Sequence, residues 1–299
     1  MIATVGHTAL DYIFNVEKFP EPNTSIQIPT AKKYYGGAAA NVAVGIKKLG
    51  VDSKLISCVG YDFEYLNNYK KYLEDLGVDI SSLYYSNEEE TPKAWIFTDK
   101  DNNQMTFFLW GASKHFVELN PKIDNAKIIH LATGEPKYNL KVAETNNKCI
   151  ISFDPGQDLP KYDKDLLLNI IKNTNILFFN KYEFERASKL LGFNKEDYLE
   201  YVDVFVITKG SEGSEIITKD KEKIFIPAIK TIAIDPTGAG DAYKAGFLVG
   251  YYKGYDLEKC GLIGAATASF VVEKKGCQTN LPSWKEVIER LKKHGYVIE

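Results

Sequence analysis

An α/β protein with a mostly parallel central sheet and helices on both faces is what this sequence predicts, and two observations carry the expectation. Short apolar runs alternate with helix-like segments along most of the 299 residues, the mark of strand–helix–strand units. At 235–241 the run Asp-Pro-Thr-Gly-Ala-Gly-Asp leads into the apolar stretch 242–249, the form of a tight turn that opens a helix. In open parallel sheets ligands sit beyond the carboxyl ends of the strands. The turns after those ends are therefore where functional residues are sought.

In chain order the strand-like runs are 2–5, 54–59, 128–131, 149–153, 176–179 and 204–208. Helix-like patterns at 41–49, 65–76, 140–146, 166–173 and 183–191 lie between them. Asp11, Asn180 and the Thr208-Lys209-Gly210 turn follow strand ends in this scheme. Two segments break the alternation. The first, about 12–35, carries Pro20, Pro22 and Pro29. The second, about 83–112, holds strand-like pieces at 93–98 and 105–110, joined by Asp101-Asn102-Asn103. Both read as β-hairpin material that cannot cover itself. The acidic run Glu88-Glu89-Glu90 reads as a solvated loop. Late in the chain a small-residue helix at 264–272 precedes Lys274-Lys275-Gly276-Cys277-Gln278.

A chain 44% apolar can bury a full core in one large domain. A formal charge of -3 gives no general affinity for nucleic acid or anionic membrane, so any phosphate must be held locally. The four cysteines, Cys58, Cys149, Cys260 and Cys277, form no metal-like pair and read as thiols of a reducing cytosol, which places the protein in the cytoplasm. The N-terminus enters a strand-like run without a basic leader, and no apolar run is long enough to span a membrane.

The glycine turn carries the chemistry. Gly238, Ala239 and Gly240 let the backbone bend sharply and aim unpaired N–H groups at one spot, which suits an anion. Asp241 then falls in the first helical turn, where the helix dipole favours negative charge. A carboxylate beside an anion site suits a general base, one that takes the proton of a hydroxyl as it attacks a phosphoryl group held by the N–H donors. A dinucleotide fingerprint is excluded, because its third glycine would fall on Tyr243. An ordinary helix start with Thr237 as N-cap stays open on this segment alone. No P-loop run and no protein-kinase catalytic loop is present.

The same run resembles the second signature of the ribokinase-like, phosphofructokinase-B-type sugar and nucleoside kinases. Their first signature, a Gly-Gly pair opening a small-residue helix with Asn, resembles Gly36-Gly37-Ala38-Ala39-Ala40-Asn41. The likeness extends from Val5 to Pro282, and Phe153-Asp154-Pro155-Gly156-Gln157 is most similar to the archaeal nucleoside kinases of broad specificity. The resemblance implies a ribokinase-like fold in which the two irregular segments form a small β lid over the substrate, also a surface for a homodimer. It implies ATP as phosphoryl donor with Mg²⁺, and a nucleoside or a sugar as acceptor.

By the resemblance, Asp11, Gly36, Gly37 and Asn41 bind the sugar. Their chemistry agrees: a carboxylate accepts from vicinal hydroxyls, glycines admit close backbone approach, and an amide donates and accepts. Each alone also suits a turn or a helix start. Asn180 and Glu183 match an Asn-x-x-Glu element linked to Mg²⁺ and phosphate placement. Thr208, Lys209, Gly210, Ser211 and Gly213 resemble a nucleotide-binding turn, although a plain β-turn would use the same glycines. Gly276 lies in a loop similar to the one near the adenine, which with Asp235 implies a potassium site.

A nucleobase needs a flat apolar or aromatic face and amide partners for its edges. Gln104, Phe107, Phe108, Trp110, Ser113 and His115 on the second lid segment, with Gln157, are the candidates. Strand alternation lets only some of them face inward. His7, His130 and His294 read as structural. The alternatives to a nucleoside kinase are a kinase for a free sugar or sugar phosphate, and a non-catalytic nucleotide or sugar sensor.

Overall fold

The computed structural model describes residues 1–101 and 103–298. Strand β1 (Ile2–Val5) leads into β2 (Ala9–Asn15) and β3 (Thr30–Gly36), followed by helix α1 (Ala38–Lys48), β4 (Ser53–Val59), α2 (Tyr69–Leu76) and β5 (Asp79–Tyr85). The chain continues through β6 (Lys93–Thr98), β7 (Gln104–Leu109) and a 3₁₀ segment, Gly111–Glu118, to β8 (Ile128–Leu131) and α3 (Pro136–Thr145). Then come β9 (Ile150–Phe153), α4 (Lys164–Lys172), β10 (Ile176–Asn180), α5 (Lys181–Leu191), the short α6 (Lys195–Tyr198) and β11 (Val204–Thr208). The last part is a hairpin, β12 (Ser214–Thr218) with β13 (Lys223–Ile226), and three helices, α7 (Ala239–Lys253), α8 (Leu257–Val271) and α9 (Trp284–Lys293).

Nine strands form one sheet in the order β13-β12-β11-β10-β9-β8-β1-β4-β5. From β11 to β5 neighbouring strands are parallel, and only the β12–β13 edge is antiparallel. Strands buried on both faces need continuous apolar runs, and β1 and β8 are buried at every residue. Val5, Ile56, Leu131 and Phe153 pack on one face with α3 and α4, while Ile2, Ile128 and Phe178 face Phe247 of α7 on the other. Helices α7 and α8 touch almost backbone to backbone. A Cβ on Gly264 would lie 2.8 Å from the Tyr243 carbonyl, which is why that helix reads as small residues.

The second sheet has the order β3-β2-β6-β7. The chain leaves β1 for this sheet, builds β4 and β5 on one side of β1, and returns to β8 on the other. Strand order therefore reverses at β1 and β8, where an open sheet leaves a crevice. The His7 N–H to Thr133 carbonyl bond, 2.9 Å, joins the two strand ends there.

Several boundaries differ from expectation. Asp11 lies within β2 of the small sheet rather than in a turn after the first strand. Leu83, Tyr84 and Tyr85, assigned to the second lid segment, end β5 in the large sheet. The helix expected from 65 starts at Tyr69, because Asn67 and Asn68 adopt left-handed backbone (φ 53° and 59°). Helix α3 starts earlier than 140, with Pro136 in its first turn and the Glu135 side chain capping Tyr138 N–H. Asn102 of the expected hairpin turn lies outside the described residues. Among the described residues no helix is long and apolar enough to cross a membrane.

Candidate active site

Gly238, not Thr237, is the N-cap of α7, with φ 81° and ψ −3°. That left-handed conformation and the packing behind it both demand glycine, since a Cβ would fall 2.7 Å from the Cβ of Cys277. Ala239 N–H is used within the turn, donating to the Pro236 carbonyl at 3.1 Å. Among the described residues, the N–H groups of Gly238, Gly240 and Asp241 have no protein acceptor. Asp235 ties this turn to the late loop by accepting Thr237 N–H at 3.0 Å and Gly276 N–H at 3.3 Å.

Asp241 is gripped on both oxygens. Asn41 Nδ2 of α1 donates to Oδ2 at 2.9 Å, and Lys244 Nζ, one turn along α7, stands 3.1 Å from Oδ1. Lys244 is buried and also bonds Asp154 Oδ2. Burial opposes its charge, but the carboxylates of Asp154 and Asp241 outweigh burial and push its pKa up. Lys244 is accordingly an ammonium shared by two carboxylates.

Asp11 is buried beside Cys277 and against the Gly36 backbone. A Cβ on Gly36 would lie 2.1 Å from Asp11 Oδ2, so only glycine leaves the carboxylate its place. Gly36 thus shapes the site from beneath, whereas Gly37 lines the cleft itself. Burial first, then the nearby Asp241 and Asp235, push the Asp11 carboxyl up to about 7.

The small sheet offers one face to the cleft. Alternation puts Gln104, Thr106 and Phe108 of β7 on that face, opposite Ala94 and Ile96 of β6. Phe107 points the other way, 61% exposed, with its ring edge on Phe97. Of the two neighbouring phenylalanines of β7, it is therefore Phe108 and not Phe107 that lines the cleft. His115 is outside the cleft, where its Nδ1 lies 2.7 Å from Glu118 Oε1 and its Nε2 3.4 Å from Ser86 Oγ. Its place is taken by His7, whose ring contacts Phe108 and bonds Ser113 Oγ (2.8 Å) and Asp158 Oδ2 (3.1 Å). Ser113 is thus buried beneath His7, and His7, expected to be structural, is buried with both ring nitrogens engaged and also lines the cleft.

Asn180 caps α5 reciprocally with Glu183. Its Oδ1 accepts the N–H groups of Tyr182 and Glu183, while its own N–H and Nδ2 donate to the Glu183 carboxylate at 2.7 Å each. Burial and the nearby Asp154 push the Glu183 carboxyl up to about 7. Thr208 reaches the cleft, but Lys209 turns to Glu215 at 2.7 Å. Gly210, Ser211 and Gly213 form the turn between β11 and β12, where Gly213 (φ 95°) packs on the Ile226 carbonyl. They lie outside the cleft lining, as does Gly276, whose φ of 91° carries the late loop past Tyr34.

One cleft of about 440 Å³ at the switch point thus takes in Asp11, Gly37 and Asn41 with Gly238, Gly240 and Asp241. Gln104, Gln157, Asn180, Glu183 and Thr208 line it too. Sequence reasoning passed over Lys244 and Asp154. Lys244 had a signal: on a helix a residue three beyond an acid shares its face.

Residues 1–284 match the pfkB family of carbohydrate kinases. The nucleoside kinase of Methanocaldococcus jannaschii is 71% identical over 297 residues, 98% of this chain and 97% of that one. The crystal structure of that organism's nucleoside kinase, an archaeal member of the ribokinase family, superposes with a TM-score of 0.94 at 70% identity, covering 98% of each chain. A Burkholderia thailandensis nucleoside kinase solved with inosine has a TM-score of 0.90 at 27% identity over 99% of each chain. Its complex with ADP-inosine has a TM-score of 0.88 at 26% identity, covering 100% of this chain and 98% of that one. With two glycine signatures meeting in one cleft and a family match over nearly its whole length, this chain belongs to the pfkB family of carbohydrate kinases, phosphotransferases that act on an alcohol group.

Proposed function

We propose that this enzyme transfers the γ-phosphoryl group of ATP, with Mg²⁺, to the 5′-hydroxyl of purine and pyrimidine nucleosides. One observation carries the proposal: Asp241 stands in the same cleft as the free N–H groups of the glycine turn, the buried Asp11 and the aromatic face of Phe108. The relatives named nucleoside kinases, and the inosine bound by one of them, support the acceptor class.

In this mechanism Asp11 accepts the vicinal ribose hydroxyls, with the backbone of Gly37 close by, and Phe108 stacks on the base. Asp241 then takes the 5′-hydroxyl proton. Each of its oxygens already accepts one bond, which leaves a lone pair free and fixes the direction in which it points. The N–H groups of Gly238 and Gly240 face the charge that builds on the phosphoryl oxygens. Donors of this kind contribute on the order of 3 kcal/mol each.

The donor set fits Mg²⁺. Glu183 keeps a lone pair on each oxygen beyond the bond it accepts from Asn180, and a carboxylate forced up by burial gains from a cation beside it. Glu183 would hold the ion through its waters, with Asn180 fixing the carboxylate, and when bound the ion offsets phosphate charge. For potassium, Asp235 is the fitting donor, since each oxygen keeps a lone pair beyond its backbone N–H. The whole chain acts as one kinase unit, with the small sheet as lid. The outer face of β7, with Met105 and Phe107 exposed, supports a homodimer through that lid. Free cysteines support a cytoplasmic home.

A sugar-phosphate acceptor needs a cationic pocket. Arg290 is engaged with Glu273 at 2.8 Å, Arg186 lies outside the cleft, and Lys244 is already shared by two carboxylates. These contacts favour a nucleoside. A coupled ATPase screen over inosine, guanosine, adenosine, cytidine, ribose and fructose 6-phosphate tests the acceptor, and higher kcat/KM for either sugar overturns it. Asp241→Asn should lower kcat at least about 10²-fold; near-parental turnover would remove Asp241 as base, whereas a parent chain with no turnover on any of these acceptors would favour the sensor.

A further inference from the structure

Buried under the cleft is a chain of hydrogen bonds behind Asn41 whose links to Gln278, Tyr69 and Gly36 play no part in the steps above. The carbonyl of Gly36, at the end of β3, accepts from Tyr69 OH at 2.9 Å. Tyr69 OH accepts from Gln278 Nε2 at 2.7 Å, and the same Nε2 donates to Asn41 Oδ1 at 2.8 Å. Asn41 Nδ2 then donates to Asp241. All three intermediates are buried.

The direction of every bond is forced from the two ends. A general base works as a carboxylate, which only accepts, so Asn41 must turn its NH₂ toward Asp241 and its oxygen toward Gln278. Gln278 must then present its own NH₂. Tyr69 can accept from that NH₂ because its proton goes to the Gly36 carbonyl. The cost is visible, since Gln278 Oε1 is buried with no partner among the described residues. Turning the amide over would satisfy nothing, because it would set oxygen against oxygen at Asn41. The far end is pinned as well, for the Tyr69 ring stacks on Tyr35, the neighbour of Gly36, at 4.4 Å.

We propose that Gln278 is a positioning residue: it orients Asn41, and through Asn41 the carboxylate of Asp241, relative to the backbone of Gly36 at the end of β3. The proposal rests on Asp241 being the base. A chain of this kind lets the strand that holds Gly36 against Asp11 also set the aim of the base, so that acceptor binding and proton removal share one frame.

Gln278→Met keeps bulk and removes both donors. Steady-state kinetics with inosine and ATP should show kcat down about tenfold, the worth of one well-placed bond of about 1.4 kcal/mol, with KM for ATP unchanged within twofold. The same substitution in an Asn41→Ala background should change kcat by less than about twofold, since the route is already cut. Tyr69→Phe, which loses one oxygen and no bulk, repeats both measurements if Gln278→Met does not fold. Full additivity with Asn41→Ala, or parental kcat in both folded variants, overturns the proposal. Asp241→Asn run beside them separates the two failures: if it is active the base assignment falls, and if it is dead while Gln278→Met and Tyr69→Phe are normal, only this inference falls.

Discussion

Replacing Lys244 by Met tests the electrostatic frame of the site. The side chain of Lys244 is 11% exposed and that of Asp154 only 3%, so removing the cation strands a carboxylate with almost no access to water. Breaking a buried pair from one side costs about 3 to 5 kcal/mol, because the remaining charge must stay unpaired or take up a proton. At about 2 °C per kcal/mol for a chain of this size, Tm should fall by roughly 6 to 10 °C. The loss should be strongly non-additive. Asp154→Leu in the same molecule removes the stranded charge and should recover more than half of the lost Tm, since apolar replacement of a buried pair is often neutral. Asp241 would still lack its second anchor, so kcat should stay depressed while Tm recovers. Thermal melts and steady-state kinetics on the parent, both single variants and the double variant decide the matter. A double variant whose Tm loss equals the sum of the singles would refute the shared ion pair.

The other predictions follow from individual contacts. With the Asp11 carboxyl raised to about 7 and needed in its charged form to accept hydroxyls, KM for the acceptor should climb as pH falls below about 7. The limiting slope is about tenfold per pH unit, and Asp11→Asn should flatten the pH profile. A flat parental profile would mean that Asp11 is not titrating in this window. Phe108→Ala should raise KM for a nucleoside about tenfold, within the roughly 1 to 3 kcal/mol that stacking on one base is worth. Phe107→Ala should change it less than about twofold, and equal effects would show that the face assignment is wrong. Gly238→Ala meets both a left-handed backbone and Cys277, so stability and kcat should drop together. Adding Cys277→Gly removes the Cβ and Sγ contacts but leaves the backbone Cα 2.9 Å from the new Cβ, so it should return only part of the steric share and leave at least about 1 to 2 kcal/mol of backbone strain; full recovery in a melt would mean the backbone is not strained.

The parallel sheet was legible because its strands are buried on both faces and show as apolar runs, as in Ile128–Leu131. Strand β5 was hidden, since Asp79–Tyr85 is a half-buried edge strand and mixes serines with tyrosines. The glycine turn was legible because its geometry needs particular residues: only glycine fits at Gly36, Gly37 and Gly238. Side-chain pairing across the molecule leaves no such trace. Asp154 and Lys244 are 90 residues apart in sequence and meet only when β9 and α7 converge on the cleft. The lid aromatics failed at the last step, because the phase of an alternating strand is fixed by pairing. β7 places Phe108 opposite Ala94, and that register puts Phe107 outside.

What the assembled site adds to its motifs is a division of labour around one carboxylate. In the proposed mechanism the turn that opens α7 keeps the N–H groups of Gly238 and Gly240 for phosphate, and among the described residues the turn itself makes no bond to the Asp241 carboxylate. Holding is left to groups from elsewhere, Lys244 from the next helical turn and Asn41 from α1. The two act on different oxygens, so losing one leaves a carboxylate that can swing about the other. A base that swings loses the alignment on which its rate depends. On this view the first glycine signature serves two ends of the reaction. Gly36 makes room for Asp11, and the helix that follows Gly37 delivers Asn41 to Asp241, so in the proposed mechanism the residue that reads as sugar-binding in the sequence also holds the proposed base.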